Sequence, residues 1–264
     1  MRFVCNFSCG AASAVATKIT LAEQQDVLIV NAYIVEEDED NRRFAADCER
    51  WFEHPITILR DEKYGASTLE VWRQKQYIKG RNGAPCSKAL KRDVLAGSSM
   101  PLMGDVTVIG YTVEEEDRAE RLQDLYPQER FSFILIEKGL TKKDCLAMVD
   151  RAGILLPLTY RLGFDNGNCI GCPKGGINYW QHVRHHFPQR FVQIGNLQQE
   201  IGPGSYFLQF RSGPRKGERM SLAELPEGRG NMADEPNFSC SHLCEIAERS
   251  IEQGAGKRAT AGSD

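Results

Sequence analysis

Five cysteines carry the types and spacing of a metal site: Cys86, the pair Cys169 and Cys172 in Asn168-Cys-Ile-Gly-Cys-Pro-Lys174, and Cys240 and Cys244. The C-x-x-C lies between glycines and a proline, a tight turn that aims two thiolates at one point while the other cysteines supply the remaining corners. Such a set suits an iron–sulfur centre, with zinc or a redox dithiol as the alternatives in a reducing compartment. Ser239-Cys-Ser-His-Leu-Cys244 places His242 between two thiols, the neighbourhood a nucleophilic thiolate needs, so Cys240 and Cys244 are candidate nucleophiles as well as candidate ligands. Cys5, Cys48 and Cys145 lie inside apolar or helical stretches and read as small buried hydrophobes.

Nine cysteines in 264 residues fall short of a disulfide scaffold, and residues 1 to 20 lack the pattern of a signal peptide, so a cytoplasmic protein is expected. With 41% hydrophobic and 26% charged residues the chain can bury one sizeable core. No apolar run approaches the roughly 18 residues that span a bilayer, and no membrane partner is expected. The net charge of −3 gives no global attraction to nucleic acid, and the basic patch of Arg184, His185, His186 and Arg190 reads as a solvated helix face.

The elements that must position these thiols alternate. Residues 2–7, 26–33, 55–59, 105–111 and 131–136 are short apolar runs, predicted as strands; 13–22, 41–52, 70–79, 115–125 and 141–152 have helical character. Uniformly apolar strands between helices predict a doubly wound α/β fold with a parallel sheet. Residues 1–195 form the expected nucleotide-binding domain with the cysteine loop, 196–253 a cluster-binding extension carrying Cys240 and Cys244, and 254–264 a disordered polar tail.

Phe7-Ser-Cys-Gly-Ala-Ala-Ser-Ala14 joins the first strand to the first helix, where ligands bind in a parallel sheet. Gly10 frees the backbone, Ser8 and Ser13 offer hydroxyls, and the helix N-terminus supplies unpaired N–H groups, Ala11 first, for a phosphate or pyrophosphate.

This turn resembles the Ser-Gly-Gly-x-Asp-Ser loop of the PP-loop (adenine-nucleotide α-hydrolase) superfamily. Ala84-Pro-Cys-Ser-Lys-Ala-Leu-Lys91 is similar to the cysteine-then-lysine segment of phosphoadenylyl-sulfate (PAPS) and adenylyl-sulfate (APS) reductases, and Gly110-Tyr-Thr-Val-Glu-Glu-Glu-Asp-Arg-Ala-Glu-Arg121 resembles their Gly-x-Arg-x-x-Glu-x-x-Arg segment. The interval from Cys86 to Cys169 resembles that of cluster-bearing APS reductases, and the likeness covers about residues 1 to 195. It implies a PP-loop fold with PAPS, APS or ATP at the first strand's end, and a 4Fe-4S cluster. Ala12 replaces the superfamily's loop aspartate and Cys9 one of its glycines; the reductase double cysteine is single here, Cys86 followed by Ser87, so a fourth ligand comes from Cys244 or Cys240.

Lys88 and Lys91 lie three apart, on one face of a helix, and with Arg118 and Arg121 could neutralise a phosphate or sulfate. Lys174 follows the C-x-x-C, where it could balance thiolate charge or contact a substrate anion. The acidic run 36–40 could hold magnesium or a ribose, though a solvated loop is its simpler reading. Two enzyme classes follow from the resemblance. One is a PAPS or APS reductase-like oxidoreductase regenerated by a thioredoxin-like reductant; the other is a sulfurtransferase that adenylates and thiolates a nucleic acid, for which Trp180, the nearby histidines and Arg184 offer stacking and charge. A zinc-stapled nucleotide-binding module without catalysis is the third reading.

Overall fold

The computed structural model describes residues 1–80, 83–98 and 104–235. Cys240, Cys244, His242 and the tail from 254 lie outside the described residues. In chain order the elements are β1 (Phe3–Asn6), α1 (Ala11–Glu23), β2 (Val27–Ala32), α2 (Asp40–Phe52), β3 (Ile56–Leu59), α3 (Thr68–Lys75), α4 (Pro85–Ser87), a π-helical turn (Lys88–Arg92), α5 (Asp93–Gly97), β4 (Val106–Val108), α6 (Glu116–Leu125), β5 (Arg130–Ser132), α7 (Ile134–Glu137), α8 (Lys142–Arg151), α9 (Leu158–Arg161), α10 (Ile177–His186), α11 (Pro188–Ile201), β6 (Leu208–Gln209) and β7 (Arg219–Met220).

Strands β1 to β5 form one all-parallel sheet in the order β3-β2-β1-β4-β5, flanked by helices, an arrangement compatible with a doubly wound fold. The chain steps outward from β1 to β2 and β3, then returns to the other side for β4 and β5. The loops after β1 and β4 therefore diverge, and such a reversal opens a crevice at the carboxyl ends of the strands.

Helix α1 lies against α8, α7 and α2 over a core of Phe7, Val15, Ile29, Phe44, Cys48, Val108, Leu135, Cys145 and Val149. Its small residues Ala11, Ala14 and Ala16 allow close approach, and its buried Thr17 and Thr20 hydroxyls return hydrogen bonds of 2.8 Å to the carbonyls of Ser13 and Ala16. Cys5, Cys48 and Cys145 are buried in this half of the molecule, as expected, and burial pushes the Cys5 thiol up to about 11 and those of Cys48 and Cys145 up to about 12.

A second core holds α3, α4, α10, α11 and the β6–β7 ribbon around Trp72, Leu90, Trp180 and Ile194, and it includes Cys86, Cys169 and Cys172. The expected boundary at 195 falls inside α11, and segments on both sides of it share this core. One predicted strand differs: 131–136 divides into β5 and α7, with Phe131 packing near α6 and Ile134 and Leu135 buried beneath α1. A short uniformly apolar run does not distinguish strand from helix. No helix among the described residues is long and apolar enough to cross a membrane.

Candidate functional site

The reversal between β1 and β4 opens a cavity of about 580 Å³, lined by the Ser8–Ser13 turn, the ends of β2 and β4, α5, the segments flanking α6 and the 166–168 loop. Its size suits a small ligand, since such pockets run from roughly 300 to 1,000 Å³.

The turn is built from its own side chains. Ser13 Oγ accepts from the Ser8 N–H at 3.1 Å and the Ser8 hydroxyl at 3.2 Å, and donates to the Gly10 carbonyl at 2.9 Å. Ser13 thus shapes the turn, its proton already spent inside it. Cys9 takes φ 55°, a left-handed conformation, at the position where the resembling loop carries glycine. Burial, with Glu37 close by, pushes its thiol well above the usual range. Asn31 Nδ2 donates to the Phe7 carbonyl at 2.8 Å and ties the turn to β2. Ala14 N–H makes the first intrahelical bond of α1, to Gly10, while the N–H groups of Ala12 and Ser13 have no acceptor among the described residues. They are the unsatisfied donors that an anion would fill.

Across the reversal, Gly110 presses on this turn. A Cβ placed on Gly110 would stand 2.8 Å from the Ser13 nitrogen, 2.9 Å from its Cα and 3.0 Å from the Ala12 carbonyl carbon. Only glycine lets the chain after β4 lie flat on the first turn of α1.

The four predicted cations separate. Lys91 lines the cavity, its Nζ 3.9 Å from Glu37, with both side chains mostly buried. Lys88 points outward to Asp93 at 2.6 Å and is absent from the lining. The cause is the π turn, whose wider winding rotates positions three apart off a common face. Arg118 pairs with Glu115 at 2.6 Å, and Arg121 is half-buried with no partner for its Nε among the described residues; neither lines the cavity. Arg92 and Lys142 line it instead, together with Tyr160, three residues that carried no motif in the sequence. Lys142 lay within reach of inference, because its helix start was legible and follows β5 at the ligand edge. One side of the wall is apolar, with Ile109, Phe131, Tyr126 and Leu95, while Glu114, Glu115 and Glu129 also line the cavity.

The acidic run is no solvated loop. Buried Glu36 accepts from the Ser67 hydroxyl and the Thr68 N–H, both at 2.7 Å, at the start of α3. Asp40 accepts from Arg43 at 2.6 Å, the Leu158 N–H at 2.7 Å and Arg161 at 3.2 Å, which pins α9 to α2. The Arg43 bond leads the forces that hold the Asp40 carboxyl at about 2, against the opposing effect of burial. A depressed carboxyl stabilises the fold above its unfolded value near 3.8 and loses that contribution as pH falls toward 2. We expect Asp40→Asn to be less stable than wild type at neutral pH by on the order of 1 kcal/mol after solvent screening. The gap in thermal melting between the two should narrow progressively as pH falls from 5 toward 2; a constant gap would contradict the assignment.

The C-x-x-C adjoins the cavity. Asn168 lines it, and Cys169 is the next residue. Ile170 N–H donates to the Glu36 carbonyl at 2.9 Å, one residue before cavity-lining Glu37. Buried Tyr179 holds the turn from within: its hydroxyl accepts from the N–H groups of Gly171 and Cys172 and donates to the Cys169 carbonyl, all at 3.0 Å. Cys86, in α4, opens the helical stretch that carries Lys91 to the cavity.

Cys86, Cys169 and Cys172 are all buried in one core, and their soft donor chemistry fits iron or zinc. Among the described residues no group of three His, Cys, Asp or Glu side chains could hold a metal ion. Glu235, the last described residue, caps the start of α10 beside the cysteine turn, accepting from the Gly176 N–H and, at 3.4 Å, the Tyr179 N–H.

Trp180 is fully buried, and Arg184 donates to the carbonyls of Leu225 at 2.7 Å and Pro226 at 3.1 Å while covering the Phe191 ring. Both are structural, so the stacking platform expected for nucleic acid is not at these positions. No family model matches the chain, and no curated protein or solved structure matches it significantly.

Proposed function

We propose that the chain is a PP-loop-type enzyme that binds an adenine nucleotide in the β1/β4 crevice and carries out PAPS or APS reductase-like thiol chemistry beside it. One observation carries this reading: the C-x-x-C begins one residue past Asn168 of the cavity wall, so the thiols continue a loop that faces the same cavity as the anion-binding turn of α1. The apolar wall suits a base, the α1 turn with Lys91 suits the anionic end, and Gly110 keeps the two sides in register.

In this reading the nucleotide's sulfonyl or phosphoryl group lies against the amides of Ala12 and Ser13, with Lys91 offsetting its charge. A cysteine thiolate from the 240/244 segment attacks the sulfonyl sulfur. The sulfur–oxygen bond to the nucleotide breaks, AMP or its 3′-phosphorylated form leaves with the electron pair, and an S-sulfocysteine remains. A thioredoxin-like dithiol then releases sulfite and is itself oxidised to a disulfide. Glu235, the last described residue, is held beside the cysteine turn by the Gly176 N–H. Cys86, Cys169 and Cys172, with Cys244, are the residues that would hold a 4Fe-4S cluster, and a cluster so held supplies a thiolate-ligated, redox-active centre.

Anaerobic protein incubated with APS or PAPS and a dithiol should release sulfite. Pyrophosphate released from ATP in its place would favour the sulfurtransferase reading. Cys169→Ser should bleach the brown absorption and abolish turnover, whereas Cys145→Ser should do neither. Equal loss from both, or a colourless wild type with stoichiometric zinc, would overturn the cluster.

A further inference from the structure

We propose that Tyr160 contacts the ligand directly, its hydroxyl donating a hydrogen bond to a tetrahedral anionic group seated at the α1 turn. The inference rests on the nucleotide reading above and specifies what the crevice selects. Tyr160 lines the cavity, and its hydroxyl oxygen lies 3.1 Å from where a Cβ on Gly10 would stand, directly over the turn. A phenol oxygen has two acceptor positions and one proton. The backbone N–H groups of Ala11 and Gly167 bond to that oxygen, which leaves its proton for an acceptor in the cavity that Tyr160 lines.

The hydroxyl also occupies the Ala11 amide, so an anion at α1 receives the N–H groups of Ala12 and Ser13 and the phenol proton together. Burial pushes the phenol up to about 12, so the donor keeps its proton throughout the physiological range. Its placement is fixed from behind: α9 is held to α2 by Asp40 through Leu158 and Arg161, the residues on either side of Thr159-Tyr160. The side chain is presented to the site by a short helix that cannot drift.

Calorimetric titration of the anaerobic full-length protein with AMP and with adenosine tests this. Tyr160→Phe should weaken AMP binding about tenfold and leave adenosine within twofold of wild type, because a hydrogen bond to a charged group is lost only where the charge is present. AMP affinity within twofold of wild type, or equal losses for both ligands, would overturn the inference while leaving nucleotide binding intact. Wild-type protein that binds neither ligand would remove the nucleotide reading itself, and this inference with it. If Tyr160→Phe melts below wild type, ultraviolet difference spectra of wild-type protein give an independent answer. AMP should shift the phenol band to longer wavelength and adenosine should not; identical spectra would contradict the contact.

Discussion

Gly110→Ala is expected to lose at least tenfold in adenine-nucleotide affinity and about 1–3 kcal/mol of stability, the cost of forcing a methyl group into packed atoms. The new Cβ would meet the nitrogen and Cα of Ser13 and the carbonyl carbon of Ala12, all within 3.0 Å. These are backbone atoms of the first turn of α1, which cannot swing aside as a side chain would. Relief comes only by moving the strand end away from the turn, and that displaces the amides of Ala12 and Ser13 relative to Lys91 and the apolar wall. Gly195→Ala is the control. Its Cβ would lie 3.9 Å from Leu222 Cβ, ordinary contact, in the interior of α11, where alanine favours the helix by about 1 kcal/mol. Chemical denaturation and calorimetry of both variants should separate them; a Gly110→Ala protein with wild-type affinity would refute the contact's role.

Gly171→Ala should cost still more, about 2–4 kcal/mol, and, in the proposed cluster reading, lower the metal content of the purified protein. Gly171 has φ +88°, a conformation that penalises any residue with a Cβ by roughly 1–2 kcal/mol. That Cβ would also lie 2.3 Å from Ile194 Cδ1 and 3.2 Å from the Trp180 ring, in a core where both neighbours are fully buried. Strain falls on the turn that sets the spacing of Cys169 and Cys172 and on the Gly171 N–H bonded to Tyr179. Ile194→Val removes the clashing atom and nothing else from that position. The double variant should therefore recover the steric part of the loss and keep the conformational part. Gly171→Ala that melts within a degree of wild type would contradict this account of the loop.

Much of the frame was legible in the sequence because parallel strands buried on both faces write themselves as short apolar runs, as in Val27–Ala32 between two helices. The 131–136 run misled because Ile134 and Leu135 are buried whether the segment is extended or helical. At the site, the Ser8–Ser13 turn and Lys91 were readable from type and position. Lys88 was not separable from Lys91, because a π turn is set by packing across Ala89 and Leu90 and leaves no residue signature. Tyr160 was invisible for a different reason. It reaches the α1 turn only through the docking of α9 on Asp40, a tertiary contact between residues 118 positions apart in the chain. The acidic run misled likewise, since the charges of Glu36 and Asp40 are spent on helix starts and an arginine pair that sequence spacing does not reveal.

The most direct test of the central claim is calorimetric titration of anaerobically purified, full-length protein with adenosine 5′-phosphosulfate, with Gly110→Ala alongside. The account predicts saturable one-to-one binding by wild type, displaced by AMP and not by GMP, and at least tenfold weaker binding by the variant. Absence of saturable binding by wild type, or equal displacement by GMP, would contradict it.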